Sequence, residues 1–464
     1  MLSKNKFFQN LVKLSSSTLL AQVLLIISSP LLTRLYSPED FGVFALFIGI
    51  IGVLSTITNL RYEQAIIIPK KDSLANQLVY LSLILNITFS FSVLLLLLFF
   101  AKPIFLFFNI EELVGFYWLI PVGVFFIGCY QALNYWLVRN QEFNVVAKIK
   151  IQQSLAMIFI QLTFFKLGPI ALILGHSLGQ LLGVFKNGIR FFKNSMFELK
   201  KLKIVAREYK KFPIYSIWSS LLNSTGAQLP VLLFTAYYSP AAAGLYMLTQ
   251  RVIKGPLSII SQAITQIFIS DLRTDEKKIK YKLLHINNFL ISISIIPLAV
   301  LVVAGEDLFT LVFGPDWTEA GTVAAILSPW MFLVFICSPV SSLVEYRNKQ
   351  SSFLIFQVIL FLTRVISIYF GYKFFDSYLD TLKLFSFSST VMWLGFLYYI
   401  MNLCEIDFFE WARVIVKKTV IIVAIFSPFY FLNLSNITFW LLIAVCVILS
   451  GFLILERSLL NYES

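Results

Sequence analysis

The chain has 464 residues, 58% of them apolar and only 13% charged, with a net charge of +13. A soluble domain carries roughly 25% charge, so this composition excludes a water-soluble enzyme and points to a bilayer. A basic surplus on a soluble protein would suggest nucleic acid; here its distribution among the loops decides its meaning.

Lys4, Lys6 and Lys13 precede an apolar run from Leu14 to Leu35. The run has no A-x-A-like site and is long enough to persist as a helix, so it reads as a first span and not as a cleaved signal peptide. Apolar runs then predict spanning helices at 12–35, 41–67, 74–101, 113–138, 144–166, 168–189, 212–236, 241–270, 281–304, 318–345, 351–373, 378–403, 412–433 and 437–456. Several, such as Leu81–Ala101 and Phe439–Leu455, are free enough of charge to cross about 30 Å of hydrocarbon. The fold class expected is an all-α polytopic membrane protein with 14 transmembrane helices.

A short string recurs after the first and seventh spans, 202 residues apart. It reads Tyr36-Ser37-Pro38, Gly42 and Leu46, then Tyr238-Ser239-Pro240, Gly244 and Leu248. Sliding Ser17–Leu46 over Ser219–Leu248 without a gap gives 10 identities in 30 positions. This duplication predicts two six-helix bundles, 1–190 and 212–404. A cytoplasmic amphipathic linker at 191–211 joins them, and two additional helices follow in 405–464. Both bundles start from the same side, which predicts a repeat axis along the membrane normal and a central cavity.

The bases set the orientation. With the N-terminus inside, 29 Lys and Arg fall on the cytoplasmic side and only Arg34, Lys102, Lys166, Lys373 and Lys383 outside. Both termini are therefore expected in the cytoplasm. The net charge reads as positive-inside bias, and no nucleic-acid partner is expected. The linker, from Arg190 to Lys211, interleaves bases with Phe191, Phe192, Phe197, Leu199, Leu202 and Val205, as an amphipathic helix on the inner leaflet would. The four cysteines, Cys129, Cys337, Cys404 and Cys446, lack any metal or redox spacing and read as buried thiols. His176 and His285 lack metal-ligand partners, and no cofactor or metal is expected.

No Walker loop, dinucleotide fingerprint, nucleophile elbow or H-E-x-x-H occurs, so no catalytic residues are assigned. Charge inside the spans carries the argument instead. Arg251 and Lys254 lie about 10 and 13 residues from the outer end of the eighth span, and Arg364 about 13 residues from the inner end of the eleventh. At about 1.5 Å per residue all three sit near mid-membrane. Each costs about 2.5–3.5 kcal/mol to insert, and the spans carry no carboxylate at that depth. This pattern predicts a wet cavity and an anionic visitor. Arg251, Lys254, Gly255, Ser258, Ser261, Gln262 and Thr265 form one polar stripe at steps of 3 and 4, with Pro256 expected to kink the helix. The second span answers with Gly49, Gly52, Thr56, Asn59 and Glu63. Arg61 and Glu63 sit at its cytoplasmic mouth as a candidate gate.

Thr33-Arg34-Leu35-Tyr36-Ser37-Pro38-Glu39-Asp40-Phe41-Gly42 and Leu60-Arg61-Tyr62-Glu63-Gln64-Ala65-Ile66 resemble the N-terminal signature of the bacterial Wzx-type polysaccharide flippases. Gly244-Leu245-Tyr246, Leu248, Gln250-Arg251-Val252 and Pro256-Leu257-Ser258 resemble their second-half signature. These belong to the multidrug/oligosaccharidyl-lipid/polysaccharide exporter superfamily. The resemblance implies alternating access and transfer of undecaprenyl-diphosphate-linked oligosaccharide from the cytoplasmic to the periplasmic leaflet of the bacterial inner membrane. It also implies a coupling ion, H+ or Na+, and possible polymerase and chain-length partners of the same pathway. On this reading Arg251, Lys254, Arg364, Arg34 and Arg61 bind diphosphate or sugar. Glu63, Asn59, Thr56, Ser258 and Gln262 line or gate the cavity.

Three rivals stand beside it. A multidrug-type cation antiporter would need deep carboxylates where this chain has cations. A peptidoglycan-precursor flippase shares the helix count but fits the signature string less well. A membrane-embedded O-antigen polymerase, an enzyme, would need a large periplasmic loop, whereas the longest loop here is cytoplasmic.

Overall fold

A computed structural model describes residues 2–108, 110–272 and 279–409, and a few positions between 411 and 420. The described residues are helical: α1 (Leu2–Thr33), α2 (Pro38–Leu54), α3 (Tyr62–Ala65), α4 (Asp72–Phe107), α5 (Leu119–Arg139), α6 (Phe143–Thr163), α7 (Pro169–Asn194), α8 (Leu199–Glu208), α9 (Ile217–Tyr237), α10 (Pro240–Leu272), α11 (Ile279–Phe313), α12 (Thr318–Val340), α13 (Ser342–Tyr346), α14 (Gln350–Phe374) and α15 (Tyr378–Leu403). Among them α4, α5, α6, α7, α11, α12 with its flanking turns, α14 and α15 are long and apolar enough to cross a membrane, eight in all. The spans expected at 412–433 and 437–456 lie outside the described residues.

The chain forms two compact units, residues 1–248 and 249–464. In the first, α6 packs on α1 and α7, α5 on α4 and α7, and α2 on α9 and α7. Its core gathers Leu78, Val79, Leu133, Leu137, Phe191 and Val205. In the second, α12 packs on α11 and α15, and α15 on α14. Leu290, Ile336, Val340, Leu397 and Ile400 are fully buried there.

Local chemistry explains the start of α2. Ser37 accepts a hydrogen bond from the Asp40 amide at 3.2 Å, and Asp40 accepts one from the Ser37 amide at 3.0 Å. This reciprocal box, with Pro38 in the first turn, satisfies amide groups that a helix start leaves open. The second copy of the string keeps the serine but not the acid: Ser239 accepts from the Ala242 amide at 3.2 Å.

The end of α2 differs from the helix expected over 41–67. Regular helix stops at Leu54. The Ser55 and Thr56 hydroxyls both donate to the Gly52 carbonyl, at 3.2 and 3.0 Å, and such back-bonding loosens a helix. Tight turns follow, with the Thr56, Ile57 and Leu60 amides each reaching back three residues. Leu60 and Arg61 then take positive φ, 48° and 63°. α10, by contrast, continues unbroken through Pro256 to Leu272.

The expected linker holds the last turn of α7, which runs on to Asn194, and then α8. Val205 is fully buried, while Leu199 and Ile204 are exposed. Side chains of the α3–α4 region hold the segment. The Gln77 side-chain amide donates to the Met196 carbonyl at 2.7 Å and accepts from the Glu198 amide at 3.1 Å. Tyr62 donates to the Ala206 carbonyl at 2.9 Å.

Candidate functional site

In the second unit, α10 carries Arg251 and Lys254 three residues apart, hence on one face. Arg251 is half-buried and Lys254 exposed. Arg364 lies on α14. Arg364 is held by aromatic rings from two other helices. Its guanidinium sits 5.2 Å from the ring centre of Trp330 on α12 and 5.9 Å from that of Phe385 on α15. Those two rings meet edge to face at 5.2 Å. Cation–π contact of this kind stabilises a cation where water is scarce.

The rest of the polar stripe on α10 is partly used by the helix itself. Ser258 donates to the Gly255 carbonyl at 2.8 Å and Thr265 to the Ser261 carbonyl at 2.7 Å. Gln262 is exposed. Trp330 and Phe385 were not legible as site residues, because one Trp and one Phe among 8 and 47 carry no spacing signal.

In the first unit, the broken end of α2 gathers a second set. Arg61 pairs with Glu63 at 3.5 Å and donates to the Ser220 hydroxyl on α9. Glu63 is 2% exposed and Asn59 1%. The Asn59 amide donates to the Gly128 carbonyl at 3.0 Å and to Gln131 at 3.4 Å, tying this stretch to α5. Thr56 is half-buried, with its hydroxyl on Gly52. Arg34 stands exposed in the turn between α1 and α2.

A prediction follows from the depth of Glu63. Arg61→Ala leaves that carboxylate buried without its counter-charge, which destabilises more than the pair itself contributes. We expect Arg61→Ala to lower both the melting temperature and transport. Adding Glu63→Gln should restore the melting temperature while transport stays low. Recovery of transport in the double variant would make the pair purely structural.

A family model described as polysaccharide biosynthesis protein matches residues 31–322, a stretch holding both copies of the recurrent string together with Arg61, Arg251 and Lys254. The teichuronic acid biosynthesis protein TuaB of Bacillus subtilis (strain 168) is 23% identical over 270 residues, covering 55% of this chain and 54% of TuaB. The chain therefore spans about half the length of that relative. Among solved structures, lipid II flippase MurJ in an inward closed conformation superposes with a TM-score of 0.76 at 14% identity, over 98% of this chain and 100% of that one. An inward-facing multidrug resistance MATE family transporter of the MOP superfamily gives 0.64 at 15% identity, over 84% and 95%. At such identities the likeness is one of fold.

Proposed function

The chain belongs to the polysaccharide biosynthesis protein family, and from that membership we propose that it is a flippase. It moves undecaprenyl-diphosphate-linked oligosaccharide from the cytoplasmic to the periplasmic leaflet of a bacterial inner membrane by alternating access. The observation that carries this reading is Arg364 on the apolar helix α14, its guanidinium 5.2 Å from the centre of the Trp330 ring and 5.9 Å from that of Phe385. A lipid diphosphate is the anion these groups would bind, and Arg251 and Lys254 on one face of α10 add two further positive groups. Arginine forks suit phosphate oxygens. The apolar lipid tail can remain in hydrocarbon while only the sugar needs a polar path. Flipping breaks no covalent bond, so binding and release are the whole of the chemistry. The energy source is a coupling ion, H+ or Na+, and the next proteins in line are the polymerase and chain-length machinery.

Reconstitution tests the proposal. In liposomes, inner-leaflet lipid-linked oligosaccharide is protected from an added glycosidase. The full chain should make that fraction cleavable, faster under a proton or sodium gradient. A rate equal to that of protein-free liposomes would overturn it. Peptidoglycan precursor would engage the same cations, so offering both lipids to one preparation separates the two substrates.

A further inference from the structure

The Trp330 indole is 7% exposed, and among the described residues nothing accepts a hydrogen bond from its Nε1–H. An indole N–H is a donor only, so it can be satisfied only by an acceptor. Two groups against it offer none: the Arg364 guanidinium lies over its ring, and the Phe385 ring meets it edge to face. Arginine and lysine side chains donate and never accept. The surroundings of Trp330 therefore combine a buried donor with positive charge from Arg364.

Two other indoles, Trp393 and Trp411, also keep buried Nε1–H groups with no acceptor among the described residues. Their rings pack on Phe356, Phe396 and Phe408. Only Trp330 of the three has an arginine guanidinium over its ring among the described contacts, 5.2 Å from the ring centre. The N–H groups of a guanidinium point outward in its plane. An indole N–H also points outward in its own plane. One anionic group beside both can meet donors from each.

We propose that Trp330 is a substrate-binding residue, its indole N–H and the Arg364 guanidinium together gripping a phosphate group of the lipid-linked substrate. This inference rests on the flippase reading and names a ligand for it that the charges alone do not reveal. Phe385, whose ring centre lies 5.2 Å from that of Trp330 and 5.9 Å from the guanidinium, is then a positioning residue.

The test uses the purified full chain and two probes, undecaprenyl diphosphate and inorganic pyrophosphate. Trp330→Phe keeps a ring under Arg364 and removes the donor. Loss of one hydrogen bond to a charged group predicts about 10-fold weaker binding of undecaprenyl diphosphate, with the melting temperature of the ligand-free protein unchanged. Should Trp330→Phe fail to fold, 3-benzothienylalanine at the same position keeps the shape of the indole without its N–H. Wild-type affinity in either variant, with Arg364→Gln weakened, would overturn the role of Trp330 and leave the flippase reading standing. No binding by the wild type, or none lost in Arg364→Gln, would overturn both. Pyrophosphate bound with the same 10-fold dependence on Trp330, and lipid not bound at all, would keep the phosphate site and overturn the lipid-linked substrate.

Discussion

Gly42→Ala is expected to destabilise this protein severely, while Gly395→Ala leaves it unchanged or more stable. The two glycines both lie in helices, so helix propensity favours alanine at each by up to about 1 kcal/mol. Space decides the sign. At Gly395 a Cβ would meet nothing within 4 Å. At Gly42 it would fall 1.7 Å from the Pro240 carbonyl oxygen and 2.2 Å from its carbon. Real contacts of a Cβ are essentially never under 3.0 Å, so the start of α10 must move by more than an ångström. Backbone cannot swing aside as a long side chain can. The Ser37–Asp40 box and the fixed φ of each proline hold both helix starts in shape. Overpacking of this kind costs about 1–3 kcal/mol, and occasionally more; backbone on both sides puts Gly42 at the upper end.

The contact is reciprocal. A Cβ on Gly244 would fall 1.9 Å from the Pro38 carbonyl oxygen, so each copy of the repeated string seats its glycine on the proline of the other. Gly244→Ala should therefore match Gly42→Ala in size. The double variant should cost less than the sum, because one substitution already parts the helices for both. Melting curves of the four proteins in one detergent check this. A wild-type melting temperature for Gly42→Ala would show that the helix starts are not in close contact in solution.

That joint shows what the sequence does and does not disclose. Serine, proline and glycine at fixed spacing mark where helices begin, and the duplication is visible because those residues cannot vary freely. That the two copies would meet is a matter of tertiary packing, which no local spacing encodes. The end of α2 was hidden for a different reason. Ile57, Leu60 and Ile66 continue the apolar pattern, whereas the break comes from the Ser55 and Thr56 hydroxyls and from Leu60 and Arg61 at positive φ. Hydropathy sees none of these. In the site, Arg251, Lys254 and Arg364 stood out because charge is rare and costly in a span. That Arg364 would meet rings from α12 and α15 depends on tertiary packing, and Trp330 was hidden among ordinary aromatic core residues.

Lys254→Gln and Arg364→Gln should each abolish or sharply reduce transport while the protein stays folded in the membrane. A cation in a membrane helix carries an insertion cost of about 2.5–3.5 kcal/mol. Removing either one relieves strain, so protein level and ligand-free melting temperature should hold or rise in Lys254→Gln. Substrate affinity should move the opposite way. A charge-assisted hydrogen bond contributes about 1.5–3 kcal/mol, so undecaprenyl diphosphate should bind roughly 10- to 100-fold more weakly to each variant. Arg364→Lys keeps the charge and loses the planar fork, so it should retain part of both affinity and transport. Arg251→Glu places a negative charge against the ligand and should be inactive. The Lys254→Gln, Arg364→Gln double variant should lose less than the product of the single losses, since both side chains act on one anion. Ligand should also raise the melting temperature of the wild type, by preferential binding to the folded state, and that rise should vanish in both single variants. A purely structural role for the pair predicts the reverse combination: altered stability with full affinity. Unchanged binding of undecaprenyl diphosphate in both Lys254→Gln and Arg364→Gln would therefore rule out the anion clamp, whatever the transport assay reads.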